Sequence, residues 1–391
     1  MIKKKIIIIT VARADYGHLR PLIKKLNKNP KFNCLLYATG LHLLKEHGYT
    51  LKEIIKDKFK IDRIIDIKIK PKSTPYNMAY SVGYGIEKFS NAFKKDKPDM
   101  IIVMGDRIEV FAVASAASLM NIPVVHIGGG DTAYSDIDNT LRHSITKLSH
   151  IHFTHSKKST ETVLKLGEEK WRVHWVGVLS LDTILKIEFI PKKKLLSEFK
   201  FPYKNYLLVV FHPTTTDKWE ESGFRMEQLM EACLAVVKNK NMGILVIYPN
   251  AYAGGAKIIK VINKYKRANK NIYTLKNLPH EKYISLLKYS SVLVGNSSSG
   301  IVEAASLKVP VVNIGDRQKF RETPQNVIRI SYKKELIEKA IKKALCDKGF
   351  QKRVKLARSP YGDGRASERI VRILNKIKIN KDLLSKKFIQ V

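Results

Sequence analysis

Cysteine is scarce in this 391-residue chain: Cys34, Cys233 and Cys346 are odd in number, far apart and set in apolar patterns. That excludes a disulfide frame and a cysteine metal site, and leaves three reduced core thiols. Acidic residues are also few, 35 Asp and Glu against 72 Lys and Arg, a formal net charge of +37. Such a surplus attracts polyanions. Yet the lysines are dispersed in runs such as KKLNKNPK, KYKRANK and YKKELIEKAIKKA, without an aromatic ladder, zinc-finger spacing or a recognition helix. A solvated basic surface is expected, not a specific nucleic-acid partner. No apolar stretch is long enough to span a bilayer, so no membrane partner is expected. The lysine-led MIKKKIIIITVARADYG has too short an apolar run for a secretory signal and reads as the first buried strand of a cytoplasmic protein. Short-period repeats and low-complexity segments are lacking as well.

What the sequence does contain is alternation. KIIIIT (5–10), NCLLYAT (33–39), DMIIVMG (99–105), PVVHIG (123–128), HIHFT (150–154) and RVHWVG (172–177) read as strands, with amphipathic stretches such as EVFAVASAASLMN and NTLRHSITKLS between them. Repeated strand–helix–strand units predict a parallel sheet covered on both faces. The alternation breaks at KIEFIPKKKLLSEFKFPYKN and restarts with YLLVVFHP, GILVIYPN, NIYTLKNL, SVLVGNS and PVVNIG. The fold class is therefore α/β with two Rossmann-like doubly wound domains, over 1–185 and 206–370, joined by a linker at 186–205 and followed by a C-terminal helix in 371–391.

Ligands of open α/β sheets bind beyond the carboxyl ends of the strands, and the polar residues collect there. Arg13 follows the first strand, Asp106 and Arg107 follow DMIIVMG, and HIGGGDTAYSDIDNTLRH supplies Asp131, Asp138 and Arg142. In the second half the corresponding places hold His212, Asn250, Ser297 and Ser298 with Glu303, and Arg321. Small residues at a helix start, as in GNSSSGIVEAA, suit a diphosphate, and a carboxylate a turn later suits two ribose hydroxyls. The same Asn or Ser could simply cap the helix, and Asp106 could do so for the helix after it. His150, His152 and His155 have the wrong parity and company for a metal site.

ARADYGHL, GDRIEVFAVASAASLMNIPVVHI, IDNTLRHSITKLSHIHF, FHPTTTD, YPNAYAGG, VGNSSSGIVEAA, GDRQKFRETPQNV and SPYGDGRAS, in that order, resemble the hydrolysing UDP-N-acetylglucosamine 2-epimerases of sialic-acid and related nonulosonic-acid biosynthesis. The resemblance implies a GT-B-type fold with the UDP-sugar in an interdomain cleft, a last helix that crosses back to the first domain, and a homo-oligomer, dimer or tetramer. It implies loss of UDP by elimination as a proton leaves C2, hydration of the resulting glycal, and release of N-acetylmannosamine, with no metal or redox cofactor. Asp106, Asp131 and Asp138 match the carboxylates, and Arg13, Arg107, Arg142 and His212 match the cations. Ser297, Ser298 and Glu303 would hold UDP, with Arg321 and Asn250 close by. Residue types alone leave base and acid unassigned. One departure stands out: many members read HxEGGE where this chain has HIGGGD, so Gly128 replaces a Glu. A hydrolysing relative acting on a UDP- or GDP-linked 2,4-diacetamido-trideoxyhexose, a non-hydrolysing epimerase, and a polyanion binder are the alternatives.

Overall fold

A computed structural model describes residues 3–45, 48–70, 74–132, 136–214, 219–249, 254–276 and 278–390. The first sheet contains β1 (Lys4–Thr10), β2 (Phe32–Thr39), β3 (Arg63–Ile65), β4 (Met100–Met104), β5 (Val124–Ile127), β6 (Ile151–Thr154) and β7 (Val173–Trp175). The second contains β8 (Asn205–Val210), β9 (Met242–Ile247), β10 (Ile272–Leu275), β11 (Val292–Gly295), β12 (Val311–Ile314) and β13 (Val327–Ile330). Strand order is β3-β2-β1-β4-β5-β6-β7 in one and β10-β9-β8-β11-β12-β13 in the other, and the pairings are parallel. Each sheet reverses direction of growth once, between β1 and β4 and between β8 and β11. Those are the switch points at which a doubly wound sheet leaves a crevice for ligand.

The isoleucines of β1 explain why this sequence becomes a central strand. Ile6 and Ile8 pack on one face with Leu19, Leu22 and Ile370, while Ile7 and Ile9 pack on the other with Phe89, Phe93 and Val113. All four are buried, and each such side chain contributes about 2 kcal/mol in transfer terms. A strand buried on both faces needs the continuous apolar run that KIIIIT provides.

The chain forms two compact units. One runs through Thr132, Asp136–Thr183 and the segment from Tyr361 onward; the other is Ile184–Pro360. The 186–205 stretch, expected to be a linker, is folded into the second unit: it carries the helix Lys192–Glu198, and Leu195, Leu196 and Phe201 join Tyr206 and Leu208 in a core. The chain rejoins the first unit at Tyr361, ahead of the expected residue 371. Asp182 draws it in, its buried carboxylate accepting from the N–H groups of Ala366 and Ser367, each at 2.7 Å, at the start of the helix Ala366–Lys376. Fully buried Arg172 then donates to the carbonyls of Asp382, Leu383 and Ser385 at 2.7–2.9 Å. No helix among the described residues is long and apolar enough to cross a membrane.

Candidate active site

In the first unit the loops after β1 and β4 bring three carboxyl groups together. Asp15 lies in the first turn of the helix Arg13–Asn27. After β4 the chain turns at Gly105 (φ +86°) into Asp106 and Arg107, and the helix Ile108–Leu119 buries Glu109 completely. Glu109 is matched by Gly40, where any Cβ would stand 2.6 Å from Oε1, and Arg107 reaches it at 3.2 Å. Burial pushes the Asp15 carboxyl up to about 7, with Arg107 pulling it down and Glu109 and Asp106 pushing it further up. Its Oδ2 is buried without a hydrogen-bond partner. Asp15 escaped the sequence reading, which took only the basic residue from that loop. Arg13 itself is exposed and pairs with Glu53 at 2.9 Å, so the structure does not bring it into this cluster.

The glycines after β5 allow close packing. A Cβ on Gly130 (φ +77°) would lie 2.1 Å from the Ser159 carbonyl. Arg142, on the helix Asp136–Leu148, is buried; Nη2 pairs with Asp106 and Nη1 donates to the Gly128 carbonyl at 2.9 Å. Asp106 therefore does not cap the helix that follows it. Asp138 sits one turn before Arg142, so the two share a helix face. Asp131 accepts from His155 Nδ1 at 2.8 Å and from Ser159 Oγ. Behind them His126 donates from Nε2 to the Gly105 carbonyl at 2.8 Å, and burial pushes its imidazole down to about 3. The other two histidines of HIHFTH are committed to the core: His152 contacts buried Glu168 at 3.0 Å, and His150 Nδ1 accepts from Val124 N–H at 3.1 Å. No group of three or more metal-ligating side chains occurs among the described residues.

In the second unit β8 and β11 end side by side, and Gly295 (φ +140°) is required there because a Cβ would meet the Val210 carbonyl at 2.0 Å. The next residue, fully buried Asn296, clamps the two strand ends: Oδ1 accepts from His212 N–H and Nδ2 donates to His212 C=O, both at 2.8 Å. Its own carbonyl accepts from Arg317 at 3.0 Å and Gln318 at 3.1 Å. Burial, with Arg317 adding, pushes His212 down to about 4. That shift favours the neutral ring, a hydrogen-bond donor, over the cation that the resemblance implies for His212. The expected helix after GNSS is also shorter than its pattern implied. It is the single turn Ser299–Val302, with Glu303 at its C-terminal end, so no helix dipole of consequence reaches Ser297 and Ser298. Ser297 Oγ accepts from Ser299 N–H at 3.3 Å. Half-buried Tyr283, from the helix His280–Tyr289, sets its buried hydroxyl beside Ser297, Ser299 and Glu303, and desolvation pushes its phenol up to about 12; sequence reasoning missed it. Arg321 is half-buried, and its carbonyl accepts from Arg329 at 3.0 Å. Asn250 lies outside the described residues.

The family model described as UDP-N-acetylglucosamine 2-epimerase matches residues 24–375. The chain belongs to that family. Among curated members it is 33% identical over 384 residues to the UDP-N,N'-diacetylbacillosamine 2-epimerase (hydrolyzing) of Legionella pneumophila, covering 98% of each chain. It is 36% identical over 330 residues to the GDP/UDP-N,N'-diacetylbacillosamine 2-epimerase (hydrolyzing) of Campylobacter jejuni, covering 84% of each. The solved structure of UDP-GlcNAc 2-epimerase from Neisseria meningitidis bound to UDP-GlcNAc has the same fold: TM-score 0.79, 20% identity, 95% of this chain and 100% of that one. Within this 2-epimerase chain the residues after β1, β4, β5 and β6 are those rich in carboxylates and imidazole, and the residues after β8 and β11 are those rich in neutral donors.

Proposed function

We propose that this epimerase-family enzyme is a hydrolysing 2-epimerase: it releases UDP from a UDP-linked 2-acetamido sugar and frees the sugar with C2 inverted. The alignment end to end with an enzyme named as hydrolysing, at 33% identity, carries the reading. UDP-N,N'-diacetylbacillosamine is the preferred substrate, because two relatives of 33% and 36% identity bear that sugar in their names. UDP-GlcNAc is the second reading, favoured by the family's own description.

The residues suit elimination followed by hydration. A proton leaves C2, the C1–O bond breaks with its electron pair going to UDP, and water adds to the glycal. Carboxylates at the reacting end come from Asp106, Asp131 and Asp138, with Arg142 paired to Asp106 and His155 to Asp131. Arg142 and Arg107 offset charge near the reacting end. Ser297, Ser298 and Glu303 hold UDP, with Arg321, Asn250 and Arg13 as further nucleotide contacts. His212 donates to the diphosphate as a neutral ring. The test is incubation with each sugar nucleotide in deuterium oxide. Free UDP and the C2-epimerised free sugar carrying deuterium at C2 are expected; recovery of a UDP-linked epimer would replace this reading with the non-hydrolysing one.

A further inference from the structure

Asp131 is bound at both oxygens, Oδ2 by His155 Nδ1 at 2.8 Å and Oδ1 by Ser159 Oγ. An Asp so engaged is poorly placed to take a proton from carbon. It is well placed to fix an imidazole, because a carboxylate on Nδ1 sets the tautomer and leaves Nε2 with its lone pair outward. The pair is largely shielded, 16% and 15% exposed, and Nε2 makes no hydrogen bond among the described residues. The ring is also placed with unusual closeness to the strand ends. A Cβ on Gly128 would stand 2.8 Å from Cε1 and 3.4 Å from Nε2 of His155, so the imidazole fills the direction in which a side chain at 128 would project. Arg142 donates to that same Gly128 carbonyl while paired with Asp106. Imidazole, guanidinium and carboxylate thus meet at one corner beyond β4, β5 and β6.

On the reaction proposed above, we infer that His155 is a catalytic residue, the base that takes the C2 proton, and that Asp131 is its positioning residue. The proton passes from C2 to Nε2, the C1–C2 double bond forms, and the C1–O bond breaks with its pair on UDP. Water then supplies oxygen to C1, Asp138 relays a proton to the other face of C2, and the imidazolium returns its proton to solvent.

The test uses the full chain, with UDP release followed from whichever sugar nucleotide the wild type consumes. His155→Gln and His155→Ala are expected to lower kcat by about a hundredfold or more, while UDP affinity stays within about twofold of wild type. Added imidazole is expected to restore about tenfold in the Ala variant and nothing in the Gln variant. Asp131→Asn is expected to lower kcat at unchanged KM, with UDP affinity within about twofold of wild type. A Gln variant with kcat near wild type overturns the assignment, as does an Ala variant that binds UDP normally and gains nothing from imidazole. Should the Ala variant not fold, the Gln variant and the kcat-against-KM split of Asp131→Asn decide. A wild type that releases UDP from neither sugar nucleotide overturns the hydrolysing reading itself, and the role of the dyad with it.

Discussion

Asp15 is held protonated by its surroundings over a range where an exposed Asp is charged. With the folded value near 7 and the ordinary one at 3.8, the native state binds more proton than the unfolded chain between those limits. Stability contributed by the group is complete below about pH 4 and is lost as pH rises through 7. Asp15→Asn removes the charge but keeps the shape. It is expected to stabilise the protein at pH 8 by on the order of 2 kcal/mol and to change little at pH 4, read from urea midpoints at the two pH values. Asp138→Asn is expected to abolish turnover while leaving UDP binding intact, checked by kcat and by UDP titration; retained turnover would remove Asp138 from the chemistry. Glu303→Ala is expected to weaken UDP about tenfold with kcat little changed, because ribose contacts act equally on ground and transition states.

At the level of elements, the strand ends of the second unit depend on the Asn296 clamp. Asn296→Ala deletes two buried hydrogen bonds and strands the His212 backbone groups, so it is expected to cost about 3 kcal/mol and to loosen amide protection in β8 and β11 together, read by hydrogen exchange. The central strands were legible from the sequence because a parallel strand buried on both faces is a continuous apolar run, as in KIIIIT and DMIIVMG. The edge strands β3 and β13 were not: RII and VIRI are short, half-buried and mixed with charge. At the site, carboxylates and serines just after strands could be picked from their position. Asp15, His155, Tyr283 and the clamping role of Asn296 could not, since what marks each is a partner or a burial supplied by a loop distant in sequence. The single helical turn after Ser298 was overestimated because SGIVEAA has helix-forming composition, yet the chain past Val302 proceeds in turns to Lys308 (φ +59°).

Over the whole molecule the +37 charge sets a field more than a site. It attracts an anionic sugar nucleotide from a distance and is screened within about 10 Å at 0.1 M salt. Raising salt from about 0.05 M to about 0.5 M is expected to increase KM several-fold with kcat nearly constant; a flat KM would confine recognition to short-range contacts. The first unit, meanwhile, is discontinuous. Its helix Ala366–Lys376 supplies Ile370 and Leu374 to the core around β1, and Asp182 and Arg172 wait for partners beyond residue 360. On a ribosome adding about 5–20 residues per second, the whole of Ile184–Pro360 must be made before those partners emerge. For some ten seconds or more the nascent first unit carries an uncovered apolar face and two buried polar groups short of their later partners, and the second unit has the whole of Ile184–Pro360 before the first unit is complete. Completion of the two units therefore runs opposite to the order in which they begin, and that interval is when a chaperone would find this protein.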